Sequence, residues 1–287
     1  MITDLIYLEA LAQIEYMGTR KPGRNGDTVS YYAVDEMKFT QTPLVTLRKT
    51  AWKMAIREME WFMSGDPKCP EELLPWWSEQ LDSEGHYLCG YSQQFRGLAA
   101  GYGGKLDQIK YLLDSIREHP HSRRACLTTW HSWEMANITL INDNPKTPTT
   151  CHSSFVQLHV CEGRLHLFSY QRSADMLLGL PHNWIQSWAL LLWFAHWAKL
   201  APGSLMWKIG DAHIYCDESH RETLKELLSH RPDLGWNRAN EENTFELVYQ
   251  PPTDLPLSND CPEFKADHFQ MIGTIPDPSV LLRPKLL

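Results

Sequence analysis

The seven cysteines of this sequence include no C-x-x-C pair and show no tight metal-ligand spacing. They are scattered along a chain of 287 residues. An odd, dispersed set of cysteines is typical of reduced thiols in a cytosolic compartment, and it argues against a domain held together by disulfides. We therefore expect a cytoplasmic protein that uses no metal.

The sequence also lacks a basic N-terminal segment, a long apolar run and an excess of positive charge. The first residues lack the basic stretch and apolar run of a signal peptide. The most apolar segment, residues 184–200, contains Gln186, His196 and Lys199, which favours a buried helix over a membrane span. We therefore expect no membrane partner. Because the formal net charge is −8, we also expect no nucleic-acid partner, although a local arginine cluster could hold a small anion.

No internal repeat or compositional boundary divides the chain, so residues 1–287 are predicted to form a single domain. With 43% hydrophobic residues, the chain is long enough to bury a substantial core. Apolar spacing predicts helices at residues 5–16, 50–63, 106–118, 183–200 and 218–230. Strands are predicted at residues 29–40, 125–130, 155–161, 164–170 and 204–209, and a loop at residues 137–150.

Residues 150–215 hold the most suggestive combination of reactive side chains. Cys151 opens this stretch and Arg172 lies near its centre. A lone cysteine is more often inert than nucleophilic, but a nearby arginine favours the thiolate. Possible acid-base partners are His152, His213, Tyr215 and Asp175. The residues themselves thus indicate a cysteine-dependent enzyme that acts on an anionic substrate.

Two acids, Glu58 and Glu60, lie within the predicted helix at residues 50–63. Residues two apart point about 200° apart around a helix, so both face the core only if protein nearly surrounds the segment. A glutamate beside Trp61 and Phe62 would have its pKa raised by desolvation, which suits proton transfer near neutral pH. The alternative is a pair of solvated charges. Similarly, Arg24 lies in a basic loop that could grip a phosphate or simply be solvated.

Several blocks, in order along nearly the whole chain, resemble the signatures of the thymidylate synthase and pyrimidine hydroxymethylase family. Any one block would be weak, but their ordered combination is specific. They are Cys151-His152, Tyr170-Gln171-Arg172-Ser173-x-Asp175, Leu178-Gly179-Leu180-Pro181-x-Asn183, Leu200-x-Pro202-Gly203 and Gly210-Asp211-x-His213-x-Tyr215.

This resemblance implies an α/β (α+β) fold, with a large, twisted, mostly antiparallel sheet and flanking helices. It also implies a homodimer formed through the sheet faces. Arg172, Ser173 and Arg24 would hold the substrate phosphate, and Arg123 and Arg124 would be donated to the partner's site.

The resemblance further implies roles for the remaining site residues. Cys151 would be the nucleophile and Glu58 would organise proton transfers, with Tyr91 and Asp175 as further members of the active site. Asn183 would read the pyrimidine edge, and His213 with Tyr215 would bind the 3′-hydroxyl of the deoxyribose. The folate side would be formed by Trp77, Asp175, Gly179 and Leu287.

The implied reaction begins with addition of the Cys151 thiolate to C6 of a pyrimidine deoxynucleotide. C5 then attacks 5,10-methylenetetrahydrofolate, the one-carbon donor. Hydride from the folate would give a methyl group, whereas water would give a hydroxymethyl group. Trp77 favours methyl transfer, because the matching tryptophan helps to shield the intermediate from water. Glu60 favours hydroxymethylation, since synthases usually carry leucine there and a carboxylate could hold or activate water.

Departures from the family pattern bear on the choice of reaction. Thr150 replaces a proline, His182 a phenylalanine and Ala51 a histidine of the folate side. Asn183 stands where deoxycytidylate hydroxymethylases carry aspartate, and an amide complements uracil better than a carboxylate does. We therefore predict 5-hydroxymethylation of dUMP, as in bacteriophages that replace thymine. The alternatives are thymidylate synthase, a dCMP-directed enzyme, or a nucleotide-binding homologue that has lost turnover.

Overall fold

The computed structural model describes residues 1–23, 25–99, 103–230, 242–253 and 261–280. Helices flank a central sheet, and the longest of them follow the predicted apolar periodicity. Short 3-10 turns lie at Glu71–Leu73 and Ala266–His268. The helices are α1 (Ile2–Met17), α2 (Trp52–Ser64), α3 (Leu74–Trp77), α4 (Tyr91–Gly97), α5 (Gln108–Glu118), α6 (Ser132–Ile141), α7 (Leu180–Trp197) and α8 (Glu218–Ser229).

The large sheet has seven strands in the order β1-β2-β9-β8-β7-β6, and β3 also pairs with β9. Only β8 and β9 run parallel, so the predicted α/β (α+β) class with a mostly antiparallel sheet is confirmed. Two small sheets pair β4 with β5 and β10 with β11. The strands are β1 (Thr19–Lys21), β2 (Thr28–Tyr31), β3 (Met37–Phe39), β4 (Leu98–Ala99), β5 (Lys105–Leu106), β6 (Cys126–Leu127), β7 (Phe155–Cys161), β8 (Arg164–Asp175), β9 (Ala201–Tyr215), β10 (Phe245–Tyr249) and β11 (Phe269–Gly273).

Helix α7 crosses the middle of the core. All its residues except His182 and His196 are buried, which its nearly uniform apolar sequence predicts. It connects β8 to β9, and a parallel pair of strands needs such a crossover. None of the helices in the described ranges is long and apolar enough to span a membrane.

Two predicted segments differ from the structure. Residues 132–141 form α6, although residues 137–150 were predicted as loop; the prolines behind that prediction lie beyond the end of the helix. The strand predicted at residues 29–40 is divided into β2 and β3, which pair with different parts of β9. The division of this strand is determined by its pairing with β9, which the alternation of residues along the sequence does not reveal.

Strand β8 is longer than the predicted segment, because its parallel pairing with β9 continues to Asp175 opposite His213. The β7–β8 hairpin turns at Glu162 and Gly163, with φ angles of 50° and 73°. Along the hairpin, Val156 and Leu158 face the core, whereas Phe155 and Tyr170, cross-strand partners, are 38% and 37% exposed on the opposite face. The fold thereby carries residues 172–175 to the same end of the sheet as residues 211–215.

Candidate active site

A cavity of about 400 Å³ lies where α2, α3 and α4 meet the loop before β7 and the start of α7. It brings together six of the residues to which the family resemblance gives a role in the site. Its walls also include the aromatic side chains of Phe62 and Trp76. The six residues are Glu58, Trp77, Tyr91, Cys151, Gly179 and Asn183.

Tyr91 lies directly beside Cys151. The phenol oxygen accepts a hydrogen bond from the Cys151 backbone N–H at 2.7 Å and lies 3.3 Å from the Cys151 Sγ. Burial, and then the nearby Cys151 charge, raises the pKa of Tyr91 well above its ordinary value. Since the phenol stays protonated and already accepts from the backbone, its hydrogen is free to be donated to a Cys151 thiolate.

The loop that presents Cys151 is held from three sides. The Cys151 carbonyl accepts hydrogen bonds from the Arg172 N–H at 2.9 Å and the Ser154 hydroxyl at 2.7 Å. Thr150, which stands where the family usually has proline, donates its hydroxyl to the Thr129 carbonyl at 2.7 Å. Ser153 adopts a positive φ of 52° in the turn that follows. The backbone that carries the thiol is therefore held in place by hydrogen bonds.

Glu58 is 8% exposed and extends from α2 into the cavity. Its carboxylate accepts hydrogen bonds from the Trp77 indole N–H and the Gln186 amide, both at 2.5 Å. Burial raises the pKa of Glu58 to about 7, although both hydrogen bonds act to lower it. A carboxyl group with this pKa can gain or lose a proton near neutral pH.

Glu60 points away from the cavity, although the sequence suggested that it holds water there. Its carboxylate accepts hydrogen bonds from the Arg57 guanidinium at 3.1 Å and the Ala266 N–H at 2.9 Å, and Lys265 lies 3.7 Å away. The rotation of about 200° between positions two apart on a helix sends Glu58 inward and Glu60 outward. The structure thus does not bring Glu60 to Cys151.

His152, considered in the sequence as an acid-base partner of Cys151, is a neutral wall residue. Burial lowers the pKa of His152 to about 3. Its ring stacks on Tyr91 with 4.9 Å between centroids, and its Nδ1 lies 2.9 Å from the Ser153 hydroxyl. It therefore cannot exchange protons as an imidazolium near pH 7.

The carboxyl ends of β8 and β9 carry the predicted phosphate and ribose residues. The Arg172 guanidinium donates to the Thr149 hydroxyl at 2.8 Å, and Thr149 lines the cavity. The Ser173 hydroxyl lies 3.4 Å from His213 Nδ1, and the His213 and Tyr215 rings are 5.5 Å apart. Arg24 and Leu287 lie outside the described residues.

Three other predicted residues lie outside the cavity wall. Arg123 and Arg124 are exposed just before the edge strand β6 and do not line the cavity of their own chain. Asp175 supports the wall from behind: its carboxylate accepts hydrogen bonds from the N–H groups of Leu177 at 2.9 Å and Leu178 at 3.1 Å. Leu178 and Gly179 are the wall residues that this turn presents.

Sequence reasoning missed three residues of this region. Gln186 donates a hydrogen bond to Glu58. Its role could have been suspected from the sequence, because it is a lone amide inside an apolar helix. Arg48 is only 5% exposed and lines the cavity, and Trp76 forms part of its wall. No sequence pattern distinguished those two. Among the described residues, no cluster of His, Cys, Asp and Glu could hold a metal ion.

The fold and the cavity together define an enzyme-type site, in which a thiol, a phenol and a buried carboxyl group face one space. The thymidylate synthase family model matches residues 5–264. A thymidylate synthase from Corynebacterium aurimucosum is 32% identical over an alignment 285 residues long, and the match covers 96% of this chain and 95% of that protein. This chain belongs to the thymidylate synthase family, and it is a one-carbon transferase.

Replacement of Tyr91 by phenylalanine tests the contact between the phenol and the thiol. We expect alkylation of Cys151 by iodoacetamide at pH 7 to slow about tenfold, because the thiolate loses a charge-assisted hydrogen bond. Tyr249→Phe is the matched control, since the Tyr249 hydroxyl accepts from Trp197 outside the cavity. An unchanged alkylation rate in Tyr91→Phe would show that the phenol does not stabilise the thiolate.

Proposed function

We propose that this enzyme transfers a one-carbon unit from 5,10-methylenetetrahydrofolate to C5 of dUMP, with Cys151 as the nucleophile. The observation that carries this proposal is the convergence of Cys151, Tyr91 and Glu58 on one cavity of about 400 Å³. A thiolate that adds to C6 makes C5 nucleophilic, and a carboxyl group with a pKa of about 7 can then exchange protons with the ring.

The nucleotide would be held by groups at several places around the thiol. Asn183 lines the cavity and is 8% exposed, so its amide can complement a donor and an acceptor of uracil. Arg172 and Ser173, joined by Arg24, would bind the phosphate. His213 and Tyr215 would bind the 3′-hydroxyl, since they lie beside Ser173 at the end of β9.

The aromatic part of the cavity wall suits a flat, aromatic cosubstrate. Phe62, Trp76 and Trp77 present ring surfaces, and Gly179 leaves the backbone accessible. Asp175 would act here through the turn whose N–H groups it binds. The folate supplies the methylene group at the oxidation level of formaldehyde.

We favour 5-hydroxymethyl-dUMP as the product. Such a product would serve a virus that replaces thymine in its DNA. Support comes from two folate-side positions that are smaller or more polar than the usual family residues. Ala51 presents only a methyl group, and burial lowers the pKa of His182 to about 4, so its imidazole is neutral. His182 accepts a hydrogen bond from the Ala51 N–H at 3.3 Å, and its other nitrogen lies 2.8 Å from the Leu178 carbonyl. A polar, less crowded wall favours entry of water over transfer of hydride from a tightly packed folate.

Methyl transfer to give dTMP is the second candidate, and the position of Trp77 supports it. Its indole is 8% exposed and donates to Glu58, and Phe62 and Tyr91 continue the aromatic surface towards Cys151. Such a surface excludes water from a reactive intermediate.

Product analysis separates the candidates. The enzyme is incubated with methylenetetrahydrofolate and either dUMP or dCMP, and both the nucleotide and the folate products are identified. We expect 5-hydroxymethyl-dUMP with tetrahydrofolate. The appearance of dTMP with dihydrofolate would replace hydroxymethylation by methyl transfer, and preferential use of dCMP would overturn the assignment of Asn183.

We also propose a homodimer in which the exposed sheet face meets its copy. Phe155 and Tyr170 present apolar surface there, and Arg123 and Arg124 are exposed near the sheet edge. Chains carrying Cys151→Ala and chains carrying Arg124→Ala, each inactive alone, should regain about a quarter of wild-type activity when mixed and reassociated. Absence of recovery in exchanged dimers would exclude donation of Arg124 across the interface.

Replacement of Glu60 by leucine tests whether this residue influences the product. We expect an unchanged product ratio and a loss of about 1–3 kcal/mol in the free energy of unfolding, since the Ala266 N–H loses its acceptor and Arg57 keeps only Asp267. Product analysis and urea denaturation measure the two effects. Glu60→Gln is the control, because its amide oxygen still accepts from Ala266. A shift in the product ratio of the leucine variant would show that Glu60 reaches the reacting centre.

A further inference from the structure

A fully buried imidazole lies between two carboxylates next to the candidate site. His220, in the first turn of α8, is 0% exposed. Its Nδ1 lies 2.5 Å from an Asp217 oxygen, and its Nε2 lies 3.8 Å from an Asp175 oxygen. Neither contact has the geometry of a well-directed hydrogen bond. The Tyr215 ring packs against the His220 imidazole, with 5.3 Å between the ring centroids.

Each carboxylate uses one oxygen for the backbone and turns the other towards the imidazole. Oδ1 of Asp217 caps α8 by accepting from the N–H groups of Ser219 at 3.1 Å and His220 at 3.3 Å. Oδ1 of Asp175 accepts from the two N–H groups of the following turn. Both Oδ2 atoms face His220. The imidazole therefore presents one ring nitrogen to each carboxylate.

The turn that Asp175 holds forms part of the cavity wall. The Asp175 carbonyl also accepts from the Gly179 N–H at 3.2 Å, so Asp175 binds three successive N–H groups, those of residues 177–179. Leu178 and Gly179 line the cavity, and α7 begins immediately afterwards. Any displacement of the Asp175 carboxylate is therefore transmitted to this wall.

We infer that His220, anchored by Asp217, is a positioning residue that holds Asp175 and hence the Leu178–Gly179 wall in place for the folate cosubstrate. This inference rests on the proposed function, in which that wall faces the folate. Neither His220 nor Asp217 lines the cavity, and of the residues that His220 faces, Asp175 is the one that binds the Leu178–Gly179 turn. The effect of removing them should therefore fall on the KM for folate rather than on the chemical step.

The test compares His220→Phe, which keeps an aromatic ring but removes both nitrogens, with His220→Gln, which keeps an N–H donor. In the full-length enzyme we expect His220→Phe to raise the KM for methylenetetrahydrofolate about tenfold. The kcat and the KM for dUMP should change by less than about twofold, because the thiol is untouched and phenylalanine keeps an aromatic ring against Tyr215, the nucleotide residue that His220 contacts. His220→Gln should restore most of the affinity for folate.

Two further variants keep the inference testable if a change at the buried position 220 disturbs folding. Asp217→Asn is nearly isosteric and keeps the capping oxygen, but it removes the charge beside the imidazole, so the folate KM should again rise. Ser219→Ala removes a hydroxyl that donates to the same cap at 2.7 Å and should leave the folate KM unchanged.

The outcomes separate the two proposals. If the wild type is active and the Asp217→Asn and His220→Phe variants have the same folate KM, the positioning role alone is overturned. If the variants instead lose thermal stability, and kcat falls while both KM values rise in parallel, the role of His220 is merely structural. This result would also overturn the positioning role. A wild type with no folate-dependent turnover of dUMP contradicts the proposed function, and the positioning role with it.

Discussion

Cys151→Ala should reduce turnover of dUMP to below about 0.1% of the wild-type rate, because without the thiolate C5 is not activated. The substituted side chain is only partly buried, and the loop around it is held by its backbone carbonyl and by Thr150. The variant should therefore fold normally and still bind dUMP. Steady-state kinetics, with equilibrium dialysis for the nucleotide, measure the two properties.

Cys161→Ala is the matched control for the loss of a thiol. Cys161 is exposed at the end of β7 and does not line the cavity, so this variant should keep full activity. Substantial turnover by Cys151→Ala, or loss of activity in Cys161→Ala alone, would refute the assignment of the nucleophile.

Glu58→Gln should lower kcat by about 10²- to 10³-fold, because the group that exchanges protons within the cavity is removed. The new amide oxygen can still accept from the Trp77 indole, but its N–H group can donate to Gln186 only if that amide flips and gives up its bond to the Ala55 carbonyl at 3.1 Å. Circular dichroism of the variant therefore accompanies the kinetics, so that loss of the proton-transfer group is separated from loss of folding. Glu60→Gln, on the outer side of the same helix, should retain the wild-type rate. Comparable activity of Glu58→Gln and wild type would exclude a role in proton transfer.

The same substitution should alter how stability depends on pH. The pKa of Glu58 is raised from 4.5 to about 7 by burial, so between these values the folded protein binds more protons than the unfolded chain. Stability from this group is therefore fully present below pH 4.5 and is lost as the pH rises towards 7. The Tm of wild type should fall across this interval relative to that of Glu58→Gln. Parallel Tm profiles for the two proteins would contradict the raised pKa.

The sequence itself determined the parts of this protein that depend on local pattern. An almost uniformly apolar segment predicts α7 at the centre, and strand alternation on either side of Glu162-Gly163 predicts the β7–β8 hairpin; the structure confirms both. The ordered motifs also predicted the family and the mixed α/β class. These features are visible because neighbouring residues in the chain carry the whole signal.

Tertiary structure alone decided how the candidate site is assembled. Helical spacing alone does not say which of Glu58 and Glu60 faces the core, yet only Glu58 meets Trp77 and Gln186, whereas Glu60 meets Ala266. The rotation of α2 against α7 makes this choice, and it depends on packing between distant segments. His220 likewise acquires its place between two carboxylates only when α8 packs beside the end of β8. The pKa of a buried group depends on such neighbours, so no reading of adjacent residues could assign these roles.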